Sequence, residues 1–189
     1  PQLGAPVGFI LSNGLFLINS KNNTASRVAY DAGTQGLTVN SIASDKSRVY
    51  IGTEDGIYVF GVEDMKPLGH YNTSTGLPHN SIECVFSDSR QRLLFATKTK
   101  GIFQLTPKGE AEDLFPAGTS EIEFTSVTED EDGAIWAASY GDGVFRFKND
   151  SVYRFTVSQG LKADYCYSIR GGGDHSVWVG HRMGISRIN

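Results

Sequence analysis

The sequence predicts an all-β protein built from repeated four-stranded antiparallel sheets, and three observations lead to this prediction. Similar glycine turns recur at Gly14, Gly56, Gly101, Gly143 and Gly184, at steps of 42, 45, 42 and 41 residues. Each glycine is followed by an apolar-rich tetrad (LFLI, IYVF, IFQL, VFRF, ISRI) and preceded by a short apolar run. Aromatic residues make up 11% of the chain, and no segment shows helical periodicity. A fixed period in this range, with strand formers between glycine turns, is typical of propeller blades.

The unit that begins at Gly76 displays the elements of one blade most clearly. Gly76 and Leu77 open a turn that ends at Asn80, and a polar hairpin loop follows over residues 88–92. The turn at Gly101 separates two further apolar segments. The predicted strands of this blade are, in order, Ile82–Phe86, Leu93–Thr97, Ile102–Leu105 and Asp113–Phe115. The other units match it, although the first hairpin of the preceding unit is shorter by four residues when counted from Asn40.

The two ends of the chain are out of phase with the repeat. The chain starts with VGFILSNGLFLI, which we interpret as a second and a third strand, and Arg27–Tyr30 follows as a fourth. It stops after a third strand. We therefore predict one propeller fragment over residues 1–189, with eighteen strands in about four to five blades. The approximate blade limits are 1–35 (partial), 36–75, 76–117, 118–159 and 160–189 (partial).

One position of the second strand holds a large residue in every complete or nearly complete unit. These residues are Tyr50, Leu94, Trp136 and Trp178. Because stacked sheets pack about 10 Å apart, we expect each of them to be a wedge between neighbouring blades. An arc of blades also exposes the flanks of its terminal sheets, which predicts association of copies through exposed blade edges.

The repeat resembles the two-component regulator propeller repeat. The pattern is G-L-x-x-N-S-I, then an Asp, a Leu with a large apolar residue, and G-I. It is carried by Gly76, Leu77, Asn80, Ile82, Asp88, Leu93 and Gly101, and in the preceding unit by Gly36, Leu37, Asn40, Ile42, Gly52, Thr53 and Gly56. The later units match in part, with Asp164 in place of Asn and Gly172 in place of the hairpin Asp.

This resemblance implies a role for the parent protein. Repeats of this family lie in the periplasmic sensor region of hybrid two-component systems, joined through a membrane helix to a histidine kinase. Such sensors often recognise polysaccharide fragments. The resemblance therefore implies signal transduction, an oligosaccharide ligand, and other propeller blades or sensor domains of the parent as partners.

Composition and motifs argue against several other classes of function. The net charge is −4 and the basic residues are scattered, which disfavours nucleic-acid binding. No apolar run approaches the roughly 20 residues of a membrane helix, so we expect no direct membrane contact. Cys84 and Cys166 should lie two blades apart, too far for a disulfide. The run Glu129–Asp132 before Gly133 is interpreted as an ordinary hairpin turn, and no cofactor, metal or catalytic motif is predicted.

We expect recognition on the face formed by the opening turns and the turns before the third strands. Loops on a rigid scaffold commonly carry binding residues. Tyr140 is expected to stack on a sugar ring, while charged neighbours contact hydroxyl or carboxylate groups. The predicted ligand-binding residues are Lys98, Lys100, Tyr140, Asp142, His181 and Arg182. The predicted function is a non-catalytic sensor of a carbohydrate fragment. Two alternatives stay open, a propeller-fold lyase or hydrolase and a structural protein-interaction scaffold.

Overall fold

The computed structural model describes residues 7–11, 14–19, 24–27, 37–98, 101–114, 121–149 and 151–189. These residues form eighteen strands in five antiparallel sheets, which we number 1 to 5 in chain order. Sheet 1 contains β1 (Val7–Leu11), β2 (Gly14–Asn19) and β3 (Thr24–Arg27). Sheet 2 contains β4 (Val39–Ser44), β5 (Arg48–Thr53), β6 (Gly56–Gly61) and β7 (Pro67–Tyr71).

Sheets 3 to 5 continue the same pattern. Sheet 3 contains β8 (Ile82–Ser87), β9 (Leu93–Thr97), β10 (Ile102–Leu105) and β11 (Ala111–Asp113). Sheet 4 contains β12 (Phe124–Glu129), β13 (Ile135–Ser139), β14 (Val144–Lys148) and β15 (Ser151–Phe155). Sheet 5 contains β16 (Cys166–Gly171), β17 (Val177–His181) and β18 (Gly184–Ile188). The strands of each sheet pair in chain order, and β4, β8, β12 and β16 pack beside one another. The prediction of all-β propeller blades is confirmed.

Two predicted fourth strands were displaced along the chain. The strand predicted at Asp113–Phe115 lies at Ala111–Asp113, because the turn before it closes within five residues, with Thr106 N–H donating to the Glu110 carbonyl (2.9 Å). The strand predicted at Arg27–Tyr30 lies at Thr24–Arg27, where it pairs with β2 from Asn19 back to Phe16. Residues 28–30 lie outside the described residues. In both cases the hairpin loop is shorter than the sequence pattern indicated.

The repeat glycines stand where the backbone requires them. Gly56 has φ +104° and Gly143 has φ +82°, the left-handed region that side chains disfavour. At each position a Cβ would collide with a backbone carbonyl of the adjoining fourth strand, that of Tyr71 or Phe155. Close approach of two strands therefore explains why glycine recurs at this turn.

The match of the opening motif in the second blade was wrong by three residues. The motif pairs Asn40 with Asn80, a separation of 40 residues. In the structure, Glu54 N–H donates to the Thr38 carbonyl and Lys98 N–H donates to the Ser81 carbonyl. Thr38 is therefore equivalent to Ser81, and these two opening residues lie 43 residues apart. Asn40 is therefore a strand residue rather than part of a turn, and its Nδ2 donates to the Ile82 carbonyl (3.0 Å).

This correction also restores the length of the second blade's first hairpin. The first residue of β4, Val39, pairs with the last residue of β5, Thr53. In the same way, the first residue of β8, Ile82, pairs with the last residue of β9, Thr97. Counted from these residues, the hairpins differ by one residue rather than four. The resemblance between blades is therefore closer in space than the motif suggested.

The core lies between the sheets, and the wedge prediction is confirmed at three of its four positions. Tyr50 packs against sheet 3, Leu94 against sheet 4 and Trp136 against sheet 5, and all three are buried. Trp178 does not fit the prediction, because 42% of it is exposed. It lies on the face of sheet 5 that points away from sheet 4, and no sheet in the described part of the chain covers that face.

Hydrogen bonds across the sheets hold their register. Ser41 Oγ accepts from Val85 N–H (3.0 Å), and Ser126 Oγ accepts from Ile169 N–H (3.3 Å), one blade further along in each case. The Cys84 thiol occupies the equivalent place between sheets 3 and 4. Its burial raises the pKa of the thiol to about 11, so it behaves as a small apolar residue with a weak donor.

In sheets 2 and 4, an aspartate of the first hairpin is bonded to the wedge residue. The Asp130 carboxylate accepts from Ala134 N–H (2.9 Å) and from Trp136 Nε1 (2.7 Å). Burial raises the pKa of Asp130, but these hydrogen bonds and the charge of Arg146 outweigh that effect and hold it below its usual value. Asp45 accepts from the Tyr50 hydroxyl in the same way (2.7 Å). The Glu129–Asp132 segment is thus an ordinary turn, as interpreted from the sequence.

In the last blade, a different residue supplies the carboxylate that organises the first hairpin. Gly172 holds the aspartate position, since its N–H donates to the Ser176 carbonyl as Asp130 N–H does to Ala134. The carboxylate comes from Asp174 instead, which accepts from Ser176 N–H. A Cβ on Gly172 would lie 2.9 Å from Asp174 Oδ1, so this carboxylate fills the space of the missing side chain.

Candidate ligand-binding site

The predicted recognition face is built from turns that are bonded to one another. Gly56 N–H donates to the Asn80 carbonyl (2.7 Å), and Gly143 N–H donates to the Asp164 carbonyl (3.0 Å). The turn before the third strand of one blade is thereby attached to the opening turn of the next. The backbone of these turns is thus held by bonds between blades, which favours a preformed binding surface.

The opening turn of sheet 5 repeats the geometry of sheet 3. Each follows a single 3₁₀ turn (Thr73–Thr75 and Val157–Gln159) whose N-terminal side chain completes a capping box. Asp164 Oδ1 accepts from Val157 N–H (2.8 Å), as Asn80 Oδ1 accepts from Thr73 N–H (2.8 Å). Asp164 therefore preserves the turn although the motif has Asn here, because the turn uses only the side-chain Oδ1 acceptor, which both residues possess.

A cleft of about 510 Å³ opens on this face at the junction of sheets 4 and 5. Sheet 4 contributes Tyr140 from the turn before β14. Sheet 5 contributes its opening turn, the start of β16 and the turn before β18. The lining residues are Tyr140, Lys162, Ala163, Tyr165, Tyr167, His181, Arg182 and Met183. The volume is within the range of small-molecule sites.

Three tyrosines form the aromatic part of the cleft. The rings of Tyr140 and Tyr165 meet edge to face with centroids 5.1 Å apart, and Tyr140 and Tyr167 do so at 5.8 Å. Each ring remains between 43% and 54% exposed. Tyr165 also packs over Gly141, whose φ of +112° brings the backbone close to the ring. The cluster presents flat apolar faces together with hydroxyl groups.

His181 lines the cleft and connects the two turns of sheet 5. Lys162 N–H donates to Ser186 Oγ (2.9 Å), and the Ser186 hydroxyl then donates to His181 Nε2 (2.9 Å). His181 Nδ1 lies 3.3 Å from the Tyr165 carbonyl, which assigns its proton to that nitrogen. Both ring nitrogens are thus engaged, and His181 positions the turns rather than offering a free group.

Burial disfavours the thiolate form of the cysteine beside His181. Cys166 Sγ lies 3.7 Å from His181 Nδ1 but is itself buried. Burial, followed by the nearby charge of Asp164, raises the pKa of this thiol to about 11. A protonated thiol is a weak nucleophile, so this pair does not form a catalytic dyad. Cys84 and Cys166 are both free.

Two cations complete the lining. Lys162 lies on the opening turn with its aliphatic stem against Gly184, 3.9 Å from where a Cβ would stand. Arg182 lies on the turn before β18 and is exposed. Among the described residues, neither side chain forms an ion pair, and the lining contains no carboxylate.

The structure unites three of the six predicted site residues. Tyr140, His181 and Arg182 line the cleft. Asp142 points elsewhere, because its carboxylate pairs with Arg154 at 2.7 Å. Lys98 is exposed on the equivalent turn of sheet 3 and does not line the cleft, and Lys100 lies outside the described residues.

Tyr165 and Tyr167 were missed by sequence reasoning. With the blades aligned as the structure requires, Tyr165 occupies the position of Thr38, Ser81 and Glu123, and Tyr167 that of Asn40, Glu83 and Thr125. In the last blade a tyrosine replaces a polar residue twice, once just before β16 and once within it. That contrast is a readable signal, but it appears only after the repeat is aligned by strand pairing.

The Glu129 carboxylate of β12 is held by a serine of the neighbouring sheet. Glu129 accepts from Ser89 through both oxygens, at 2.7 and 2.8 Å. In the part of the chain that the structure describes, no group of three His, Cys, Asp or Glu side chains has the geometry to hold a metal ion.

In those same residues, no helix has the length and hydropathy needed to cross a bilayer.

Comparison with known proteins gives structural matches only. No protein-family model and no curated protein matches the chain. The extracellular domain assigned to a hybrid two-component system of Bacteroides thetaiotaomicron superposes with TM-score 0.83 and 22% identity, over 95% of this chain and 25% of that one. A second such domain has TM-score 0.61 and 16% identity, over 97% of this chain and 31% of that one. Virginiamycin B lyase from Staphylococcus aureus has TM-score 0.68 and 15% identity, over 94% and 63%.

These identities show the fold alone. The chain spans 25% and 31% of the length of the two extracellular domains, so the activity of such whole proteins is not transferred with the likeness.

Proposed function

We propose that this chain is a non-catalytic recognition module in the extracytoplasmic region of a two-component sensor. It binds a carbohydrate fragment in the cleft between sheets 4 and 5. The parent would lie across a membrane with this region in the periplasm and a histidine kinase on the other side. Its partners would be further blades or sensor domains of the same protein.

One observation carries the proposal: three half-exposed tyrosine rings and two unpaired cations converge on one cleft of about 510 Å³. Aromatic faces suit the apolar C–H surfaces of sugar rings, and tyrosine hydroxyls and cationic donors suit their oxygens. The likeness of the fold to extracellular domains of two-component systems supports the location.

A lyase or hydrolase receives less support from the residues. General acid–base chemistry needs a titratable group held near the substrate. In the cleft, both nitrogens of His181 are engaged and the Cys166 thiol is protonated. The likeness to virginiamycin B lyase concerns the fold alone.

The test is a binding screen with matched tyrosine variants. Calorimetric titration with neutral and acidic oligosaccharides should find a ligand, and Tyr140→Ala should weaken its binding about tenfold, which corresponds to ~1.4 kcal/mol. Tyr153→Ala is the control, because Tyr153 is 54% exposed on β15 but lies outside the cleft. Both variants should keep the parent melting temperature. Equal losses from the two variants, or no binding of any oligosaccharide, would contradict the proposal.

A further inference from the structure

We infer that the cleft selects an anionic sugar, one that carries a carboxylate next to its ring as a uronic acid does, and that Lys162 and Arg182 hold this carboxylate. The inference rests on the proposed function and adds the chemical class of the ligand to it.

The charge of the cleft is opposite to that of the chain. The whole chain carries a net charge of −4, yet the lining holds a lysine and an arginine and no carboxylate. Neither of the two nearby acids of the surrounding turns forms an ion pair with Lys162 or Arg182 among the described residues. Asp142 pairs with Arg154 (2.7 Å), and Asp164 accepts from Val157 N–H (2.8 Å). Lys162 and Arg182 are therefore left without an internal counter-charge, which favours an anion from outside.

The two cations are presented by anchored backbone. Lys162 N–H is bonded to Ser186 Oγ, and the lysine stem lies along Gly184. Arg182 follows His181, whose ring is bonded to Ser186 and to the Tyr165 carbonyl. A guanidinium fork binds a carboxylate through two parallel hydrogen bonds, and an ammonium adds a point charge beside it.

The tyrosines define the rest of the ligand. Tyr140 stands on sheet 4, whereas the other two tyrosines and both cations stand on sheet 5. An occupant of the cleft therefore meets aromatic rings and cations together. A neutral sugar would use the aromatic part and leave both cations solvated. A small anion without a ring would use the cations and leave the aromatic faces exposed. A uronic acid residue satisfies both parts with one ring.

The experiment compares two probes that differ at one group. Trimers of galacturonic, glucuronic and mannuronic acid are titrated into the chain, beside the same trimers with their carboxylates reduced to primary alcohols. We expect at least one acidic trimer to bind about tenfold more tightly than its reduced form, a difference of ~1.4 kcal/mol. Its affinity should fall as salt rises from 0.05 to 0.5 M, because the charges are partly exposed.

Charge-matched variants locate the effect. Arg182→Gln and Lys162→Gln should each remove most of the preference for the acidic trimer and leave binding of the reduced trimer unchanged. The controls are Arg90→Gln and Lys108→Gln, which change exposed cations on the hairpins of the opposite face. All four positions are exposed, so circular dichroism and melting temperature should match the parent.

The outcomes separate this inference from the proposed function. If neutral and acidic trimers bind equally and only Tyr140→Ala weakens them, sugar recognition stands and anion selection is overturned. If no sugar of either kind binds at millimolar concentration, both are overturned. If an acidic peptide binds through Arg182 and no trimer does, the ligand is a peptide and both are overturned.

Discussion

Replacing Trp136 by Ala tests whether the blades are held together by wedge residues. The side chain is only 5% exposed and lies between sheets 4 and 5. Its ring stacks on Phe155 with centroids 5.4 Å apart, and the Arg146 guanidinium lies 5.3 Å from its centre. Its Nε1–H donates to Asp130 (2.7 Å). The substitution therefore removes packing between two blades as well as one bond to a buried carboxylate.

The expected loss of stability follows from these contacts. A buried aromatic side chain covers about 150–250 Å², which at ~25 cal/mol per Å² is an upper bound of about 4–6 kcal/mol. Measured losses for buried aromatic-to-alanine changes are about 3–5 kcal/mol, and we expect Trp136→Ala to fall in that range. Asp130 keeps its bonds from Ala134 N–H and its contact with Arg146, which limits the additional penalty.

The chain contains its own matched control. Trp178 occupies the same position of the next blade but is 42% exposed, and alanine there opens onto solvent instead of leaving a cavity. We expect Trp178→Ala to cost about 1 kcal/mol. Unfolding in urea, followed by circular dichroism, gives both values. The chain has two tryptophans, so each variant also retains one fluorescent reporter.

A further variant separates packing from hydrogen bonding. Trp136→Phe keeps an aromatic ring between the sheets but cannot donate to Asp130, and we expect it to cost about 1–3 kcal/mol. A loss below about 1 kcal/mol for Trp136→Ala, or equal losses at the two tryptophan positions, would refute the wedge argument. It would mean that sheets 4 and 5 do not bury this side chain.

Three other predictions follow from the same contacts. The pKa of Asp130 is held below its usual 3.8, so the stability that this carboxylate contributes is present above about pH 4 and is lost as the pH falls through its folded-state pKa. The difference in unfolding free energy between the parent and Asp130→Asn should therefore shrink towards pH 2. A difference that stays constant with pH would contradict this. Ser126→Ala removes the acceptor of Ile169 N–H between blades and should cost about 1–3 kcal/mol, whereas Ser151→Ala at the exposed start of β15 should change little. The apolar face that contains Trp178 (42% exposed) and Ile185 (67% exposed) should cause copies of the chain to associate. Light scattering should show less association for Trp178→Asp than for the parent. A monodisperse parent monomer at high concentration would contradict this prediction.

Much of the fold could be predicted from the sequence because its signals are local. Alternating apolar residues specify strands, and a glycine with positive φ specifies the turn before the third strand in sheets 2 to 5. As a result, β9 and β10 lie where the pattern placed them. The pattern was weaker at the fourth strands, which pair with one neighbour only and whose hairpin loops vary in length. It failed at Asn40, where a chance repetition of the opening motif lies three residues from the true equivalent.

The candidate site could be predicted only in part. The sequence by itself placed Tyr140 and Arg182 on one face, since both lie on turns before third strands. Only the tertiary structure joined them to Tyr165, Tyr167 and Lys162, because these residues come from different turns, and strand pairing and the bonds between blades set the distances between them.

Burial likewise depends on the tertiary structure. Trp136 and Trp178 are the same residue in the same position of the repeat, and no local signal distinguishes them. One is buried and the other exposed because a second sheet packs against the first tryptophan only. The sequence by itself determined which segments form strands, where the chain turns and which residues repeat. Tertiary structure decided which repeats are covered and which side chains meet, because both depend on a neighbouring sheet about 10 Å away rather than on residues nearby in the chain.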